Sequence, residues 1–497
     1  MRWTKKLSEN IKRGIRSWLN IQPANPYSIQ INETIDFELN AIRNRIWYRG
    51  DSNELEQVYQ SMTEFADKYK FWASRCTPGM EIRKVHTGLP GLIVGILVSI
   101  VLADMNDFDI EGNSAEVWKE IEKENKFRKK LERTLKEVLY IGDGAYKITI
   151  DTQKSQYPIL EWYPGERIEL VHDRGRLKEV VFKTPYVDHK QQYILYEHYG
   201  YGYITNELYK ENEKVNIKCI EATKNVSDWE FDASVILGIP IQIYESKKWE
   251  GRGGSIYDGK IDSFDAFDEV WSQWLDALRA GRSKEYIPEC LVPRNPNTGE
   301  IVKPNHFDNR YIMTGDDVRE EGKNQIVLDQ PAIPHDSYAG TYSTALDLCL
   351  QGIISPSTLG IDVKKLDNAE AQREKEKATL YTRNAIVEAL QETLPEVVVA
   401  CVNAYRLVCG ESVEEIKVDI PFGEYANPSF ESQVETVGKG KVQGIMSIEA
   451  SVEELYGDSK DEAWKNEEVK RLKAEQGIEV IDEPNVTGYD ASHMAGE

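Results

Sequence analysis

Few residues of this sequence have types and spacings that could perform chemistry. The seven histidines could supply metal ligands or a general base, but no two stand four residues apart as on one helical turn. The six cysteines form no Cys-x-x-Cys pair and have no histidine at ligand spacing. Structural zinc sites and disulfide frameworks need such spacings. We therefore expect reduced thiols, no metal site that can be located and no cofactor.

Motifs for phosphate binding and hydrolysis are also missing from the sequence. It contains no H-E-x-x-H, no G-x-S-x-G, no EF-hand loop and no G-x-x-x-x-G-K-[ST]. The glycine-rich stretch 251–255 lacks the lysine that a phosphate-binding loop requires, so we interpret it as a flexible joint. Acid pairs such as Asp316-Asp317 carry no catalytic weight in a chain with 84 acids. We predict no catalytic residues and a protein that is not an enzyme.

The charge of the chain is its first unusual property. The composition is ordinary for a globular protein, with 40% hydrophobic and 29% charged residues, but the formal net charge is −23. Proteins that bind nucleic acid by neutralising phosphates are normally basic. The balance indicates either a solvated acidic protein without a nucleic-acid partner or one that lets DNA pass without sticking.

One amphipathic helix stands out between residues 258 and 279. Its aromatic and aliphatic positions repeat at steps of three and four, and its acids are predicted on the opposite side. The apolar set is Phe264, Phe267, Trp271, Trp274 and Leu278, and the acidic set is Asp258, Asp262, Asp265, Glu269 and Asp276. Such a helix fits the surface of a large domain. It equally fits a helix packed sideways in a ring, with an acidic face towards a channel or solvent.

The elements before this helix are helices followed by strands. Residues 1–20 form a basic amphipathic pattern with a net charge of +5, typical either of a docking helix or of a terminus packed on its own protein. A helix is predicted from Asp51–Ser52, a buried helix at 89–103 that is too short to span a bilayer, and a long charged helix from Ser114 to Gly142. Period-two alternation from 146 to 209 predicts an antiparallel meander of about six strands.

The elements after it are a small β-rich stretch and two further helices. Short strands are predicted between 283 and 334, a helix from Asp336 to Gly352, and a long helix from Ala369 to Arg406, bent at Pro395. One more strand is expected at 415–420. Short acidic helices follow, one opened by a capping box at Ser459–Glu462, and the acidic tail from Gln476 is expected to be disordered.

The order of these elements, together with 139–151, 258–279 and 352–384, resembles the portal proteins of long-tailed double-stranded DNA bacteriophages, in the branch of Gram-positive hosts. In the stretch 352–384, the residues that carry the resemblance are Gly352-Ile353-Ile354-Ser355-Pro356-Ser357-Thr358-Leu359-Gly360, then Asn368 to Lys377, Thr379 and Thr382. The resemblance implies an α+β portal-type fold with an α/β wing, a two-helix stem, a small β-rich clip, a long bent helix after a tunnel loop, and a helical crown.

The resemblance also assigns regions and partners. The regions are a basic N-terminal segment (1–30), wing (31–255), first stem helix (256–282), clip (283–335), second stem helix (336–351), tunnel loop (352–368), long wing helix and closing strand (369–427), crown (428–475) and acidic tail (476–497). It implies a homododecamer at one capsid vertex of the virion, assembled in the host cytoplasm. Double-stranded DNA would pass without sequence specificity, and the terminase motor, scaffold, major capsid protein and head-completion adaptor would bind.

Residue roles follow from that assignment. Lys364 and Lys365 would lie on the tunnel loop near DNA, although solvated loop lysines are the simpler interpretation. The acidic set would line the channel, and the apolar set would pack subunits in the stem. The alternative is a peripheral scaffold or membrane-associated protein that docks through its basic N-terminal helix. A ring many times the mass of one chain separates the first hypothesis from the second.

Overall fold

A computed structural model describes residues 35–62, 65, 69–75, 82–211, 213–302, 311–315, 325–361, 369–423, 430–456 and 462–475. The chain divides into two compact units, Met1–Phe422 and Gly423–Glu497. Helices and sheets are mixed, which confirms the α+β class. The basic segment 1–30, both loop lysines and the acidic tail lie outside the described residues.

The helices of the first unit follow the apolar periodicity of the sequence. Asp36 caps the first of them by accepting a hydrogen bond from the Leu39 amide at 2.7 Å, and Gly50 ends it with φ 70°. The helices are α1 (Phe37–Arg49), α2 (Ser52–Ser61), α3 (Leu89–Ala103), α4 (Ser114–Asn125), α5 (Phe127–Ile141), α6 (Ile261–Ala280), α7 (His335–Leu350) and α8 (Ala369–Cys409). Pro395 lies inside α8.

The strands form four sheets in the described part of the chain. They are β1 (Asp109–Ile110), β2 (Asp143–Thr149), β3 (Ile159–Pro164), β4 (Ile168–Asp173), β5 (Arg176–Asp188), β6 (Gln191–Gly200), β7 (Tyr203–Lys210), β8 (Glu213–Val215), β9 (Trp229–Glu230), β10 (Gly238–Gln242), β11 (Lys284–Pro288), β12 (Tyr311–Thr314), β13 (Val327–Asp329) and β14 (Val418–Asp419). The sheet orders are β1-β14, β10-β2-β3, β12-β11-β13 and β4-β5-β6-β7-β8, with β9 on β7.

Two predictions about these elements are wrong. The helix predicted from Ser114 to Gly142 is two helices, because Lys126 has φ 49° and this left-handed residue ends α4. The predicted single meander is two sheets. β2 and β3 pair with each other, and β10, which the sequence did not predict, adds to the other edge of β2.

The core of the first unit lies where α1, α3, α5 and α8 meet the β10-β2-β3 sheet. Its largest fully buried side chains include Trp47, Trp72, Trp118 and Tyr146. A buried ion pair joins the β10-β2-β3 sheet to the six-stranded sheet, since the Lys147 ammonium on β2 donates to both Glu197 oxygens on β6 at 2.7 and 2.6 Å. Ile261 and Phe264, at the start of α6, are buried in the same core.

The second unit is helical in its described residues. It contains α9 (Phe430–Val442), α10 (Ile448–Tyr456) and α11 (Glu462–Glu475). The Tyr456 and Trp464 rings pack edge to face at 5.0 Å, and the Lys465 ammonium lies 2.9 Å from a Glu453 oxygen. Short helices were predicted here, but most of the proposed capping box lies outside the described residues.

Candidate functional site

The site that the sequence singled out is a helical hairpin with a β cap. α6 and α7 run antiparallel, because Phe267 contacts Tyr342 while Trp274, further along α6, stacks on Tyr338, nearer the start of α7. Asp262 in the first turn and Arg279 in the last turn complement the helix dipole of α6. Gly281 ends the helix, and a Cβ there would lie 2.4 Å from Ile333.

The aromatic face of α6 packs inside the chain itself. Phe264 and Phe267 are fully buried, and Trp271 and Trp274 lie 5.8 and 6.0 Å from the Tyr342 ring of α7. The expectation that these aromatic residues pack subunits together is therefore wrong for Phe264 and Phe267, which have no surface left for a neighbour. Of the five predicted apolar residues, Leu278 is the one with a substantially exposed side chain, at 45%.

The acidic residues of the same stretch do not form one face. Asp262 is exposed and pairs with Lys70, while Glu269 and Asp276 are half-buried, with Glu269 accepting from the Gln273 side chain at 2.8 Å. Asp258 precedes the helix, so the predicted helical position is wrong. Its carboxylate accepts from the Ser255 amide at 2.9 Å, and burial raises its pKa.

Asp265 is the second departure from the predicted acidic face. It is buried beneath the segment 69–75, where it accepts hydrogen bonds from the Phe71 and Trp72 amides at 2.8 and 3.3 Å. Burial raises the pKa of this carboxyl, and the two backbone amides oppose the shift. The expectation that Asp265 faces a channel or solvent is wrong, since the chain covers it.

The most connected residue of α6 was missed as a site residue in the sequence. Asp268 is 1% exposed and accepts from the Trp72 indole at 3.2 Å and from the Thr87 amide and hydroxyl at 2.9 Å each. One of its oxygens also lies 2.6 Å from His86 Nδ1. The available signal was its position four residues after Phe264 and three before Trp271, inside the apolar stripe. An acid in that stripe must be buried and satisfied.

The joint that leads into α6 is packed rather than flexible. The Arg252 guanidinium donates to both oxygens of the buried Asp143 at 2.7 and 2.8 Å, and the Gly253 amide donates to the same carboxylate at 2.8 Å. A Cβ on Gly253 would lie 2.1 Å from the Gly142 carbonyl oxygen. Glycine at this position allows the backbones of Gly253 and Gly142 to pack closely together. The prediction of a flexible joint is therefore wrong.

The cap at the far end of the hairpin is a three-stranded sheet with exposed apolar side chains. β11 pairs in parallel with β12 and antiparallel with β13, so β12 and β13 are the edges among the described strands. Val327 and Leu328 on β13 are 55% and 66% exposed. A small sheet needs a covered apolar face to be stable, and free edges pair readily with other chains.

The segment after α7 is anchored by hydroxyl groups. Thr379 Oγ1 on α8 accepts from the Ser355 amide at 2.9 Å and lies 3.0 Å from Thr358 Oγ1, and the Thr382 hydroxyl donates to the Ile353 carbonyl at 2.7 Å. These bonds hold residues 353–358 against α8. The proposed DNA-proximal Lys364 and Lys365 lie outside the described residues.

Within the described ranges, no three His, Cys, Asp or Glu side chains are grouped to hold a metal ion. No described helix has the length and apolar character needed to cross a membrane. Cys349, on α7, donates to the Ser263 carbonyl at 3.3 Å, and burial raises the pKa of its thiol to about 12. It is therefore a packed thiol and a poor nucleophile.

Structural neighbours of this chain include two chains from gene transfer agent particles. No protein-family model and no curated protein matches the chain. A chain in the virion of a native gene transfer agent particle aligns with TM-score 0.37 and 11% identity, over 77% of this chain and 89% of that chain. A chain in the neck of the native gene transfer agent particle, computed with C12 symmetry, aligns with TM-score 0.36 and 11% identity, over 74% and 90%.

Proposed function

We propose that this chain is a portal protein, the ring at one vertex of a tailed-phage capsid through which double-stranded DNA is packaged and ejected. The proposal rests on the resemblance of residues 139–151, 258–279 and 352–384 to portal proteins and on the hairpin with its cap. In this role the ring has about twelve subunits. It docks the terminase motor and later the head-completion adaptor, and meets scaffold and major capsid proteins during assembly in the host cytoplasm.

The exposed cap is the observation that carries the proposal. A three-stranded sheet with apolar side chains on β13, and with β12 and β13 as its edges among the described strands, is a poor end for a lone hairpin. Copies standing side by side would cover Val327 and Leu328 and pair the free edges head to tail. Such heterologous contacts close into a ring when the rotation between copies allows it.

The acidic residues that stay on the surface fit a conduit. Asp262, Glu269 and Asp276 retain solvent access on α6, and the whole chain carries a formal charge of −23. Repeated around a channel, such charges repel DNA phosphates and limit adhesive contacts. Asp258 and Asp265 are satisfied within the chain and have no part in this lining.

The oligomeric state tests the proposal. Native mass spectrometry should give an assembly of about 680 kDa, which is twelve chains of 56.9 kDa, and negative-stain microscopy should show a ring with a central hole. The variant Val327→Lys, Leu328→Lys places charges on the cap and should shift the population to small species. The matched control Val187→Lys, Ile194→Lys alters exposed residues of the six-stranded sheet and should keep the ring. A wild-type chain that is monomeric at micromolar concentration would overturn the proposal.

DNA proximity of Lys364 and Lys365 is a separate proposal within this function. A Lys364→Ala, Lys365→Ala variant should form the ring but package DNA more slowly, because a transient contact to phosphates is lost. Normal packaging by an assembled double variant would remove the two lysines from the mechanism and leave the ring proposal standing.

A further inference from the structure

A second surface lies away from the hairpin, where three grooves follow α5 and reach α1, α4 and β3. The largest, about 650 Å³, is lined by the bases Arg45, Arg49, Lys130, Arg133 and Arg167. A groove of about 320 Å³ shares Tyr48, Arg133, Glu137 and Tyr140 with it and adds Lys129 and Lys136. Shared lining makes the two grooves continuous.

The third groove extends the same surface towards the start of α4. It measures about 280 Å³, shares Lys129 with the second groove, and is lined by Lys119, Lys123, Lys126 and Arg128. We call the three grooves together the basic trough. Its lining contains eleven bases and five acids, a formal excess of +6 on a chain of charge −23.

Much of this positive charge is not neutralised inside the chain. Five of the eleven bases are paired: Arg45 with Glu166, Arg49 with Glu54, Arg128 with Asp107 and Glu122, Arg133 with Glu137, and Lys136 with Glu132. Lys119, Lys123, Lys126, Lys129 and Arg167 are exposed and form no ion pair with the residues that the structure describes. The exposed lysines repel one another, and an acidic partner bound between them would reduce this electrostatic repulsion.

The trough also has a shape that suits an extended chain. α5 has 15 residues, so it is about 22 Å long at 1.5 Å per residue. An extended peptide rises about 3.3 Å per residue, so about seven residues would cover this helix. The stacked rings of Tyr48 and Tyr140, 4.5 Å apart, form part of the wall shared by the two larger grooves.

We infer that the basic trough binds an acidic, extended segment of a partner protein. Nucleic acid has the same sign of charge but fits less well. Duplex DNA presents one negative charge per about 1.7 Å, whereas the trough interrupts its bases with Glu122, Glu132, Glu137, Glu161 and Glu166. The net charge of −23 also repels a long polyanion more strongly than a short peptide. The inference does not depend on ring formation.

Fluorescence anisotropy on the full chain tests this inference. The probe is fluorescein-labelled poly-L-glutamate of about 20 residues in about 50 mM salt, where charge pairs are weakly screened. The variant Lys123→Glu, Lys126→Glu, Lys129→Glu should bind about tenfold or more weakly than wild type, since each exposed pair contributes modestly and three are reversed. The corresponding triple glutamine variant removes the charges without reversing them, so it should lose less affinity for the probe. An affinity loss graded in this way would not be expected from a folding defect.

The matched control changes three exposed lysines outside the trough, Lys178→Glu, Lys190→Glu and Lys218→Glu. It has the same net charge as the test variant and should bind the probe nearly as wild type does. Equal losses in both triple variants, or no binding by wild type, would overturn the inference. So would a 20-base-pair duplex that binds more tightly than polyglutamate through the same lysines, because the trough would then be a nucleic-acid surface.

Discussion

Asp268 is the residue whose loss should damage the hairpin most. Its carboxylate is buried and has four polar neighbours: the Trp72 indole, His86 Nδ1, and the amide and hydroxyl of Thr87. In Asp268→Ala all four lose this partner at once. A buried donor without an acceptor costs about 1–3 kcal/mol, but water entering the new space would satisfy some of the four. We therefore expect a loss of about 3–5 kcal/mol, as for other broken buried networks.

The loss should be local, because Asp268 ties the segment 82–88 to α6. The same segment also contacts this helix through Val85, whose amide donates to Ser272 Oγ at 3.0 Å and whose carbonyl accepts from that hydroxyl at 3.5 Å. Hydrogen exchange followed by mass spectrometry should show the Thr87 amide exchanging about 100-fold faster or more, since about 1.4 kcal/mol corresponds to a factor of ten. Exchange of individual backbone amides is a better measure here than the midpoint of a global unfolding curve, because the two units of the chain need not unfold together.

The control is Asp262→Ala on the same helix. Asp262 is 81% exposed and pairs with Lys70, and exposed pairs contribute about 0–1 kcal/mol. The two variants remove the same atoms from positions six residues apart, so they separate a buried network from surface charge. If Thr87 exchanges equally fast in both variants, the reasoning about the Asp268 network is refuted.

Three further predictions concern the packing and protonation around α6. Gly253→Ala should unfold at clearly lower denaturant concentration, because the new methyl would lie 2.1 Å from the Gly142 carbonyl oxygen, whereas Gly340→Ala on α7 meets nothing within 4 Å and should stabilise by about 0.5–1 kcal/mol. Asp265→Asn, which keeps an acceptor for the Phe71 amide, should cost less than Asp265→Ala. Because burial raises the pKa of Asp265, its contribution to stability is greatest below the pKa of an unfolded aspartate and declines as pH rises through the raised value. Urea unfolding between about pH 4 and 8 should show this decline in wild type and not in Asp265→Asn.

Local periodicity predicted most helices of this chain well. The helices at 89–103, 261–280, 335–350 and 369–409 lie where apolar spacing and terminal signals indicated. The failures came where one residue or a distant strand decided the outcome. Lys126 adopts a left-handed backbone conformation, which is unusual for a lysine and was not predicted. β10 pairs with β2 although the two strands are more than 90 residues apart in the sequence.

The candidate site divides in the same way. That an amphipathic helix with an aromatic side lies in this stretch could be read from spacing alone, although the helix begins at Ile261 and its acids do not share one face. The surroundings of each side of the helix could not be predicted from spacing. Burial of Asp265 and Asp268 depends on the segments 69–75 and 82–88, which fold over α6. The aromatic stripe likewise meets α7 of its own chain, which limits what it can offer to another subunit.

By itself the sequence determined the α+β class, the hairpin helices, the acidic balance and the resemblance to portal proteins, because these depend on residue type and on spacing along one element. Only the tertiary structure decided that Gly253 is a tight backbone contact, that Asp268 is the buried anchor of α6, and that Arg45, Arg49 and Arg167 join the lysines of α4 and α5 in one trough. Each of these features depends on contacts between residues that are far apart in the sequence. No local pattern records such meetings.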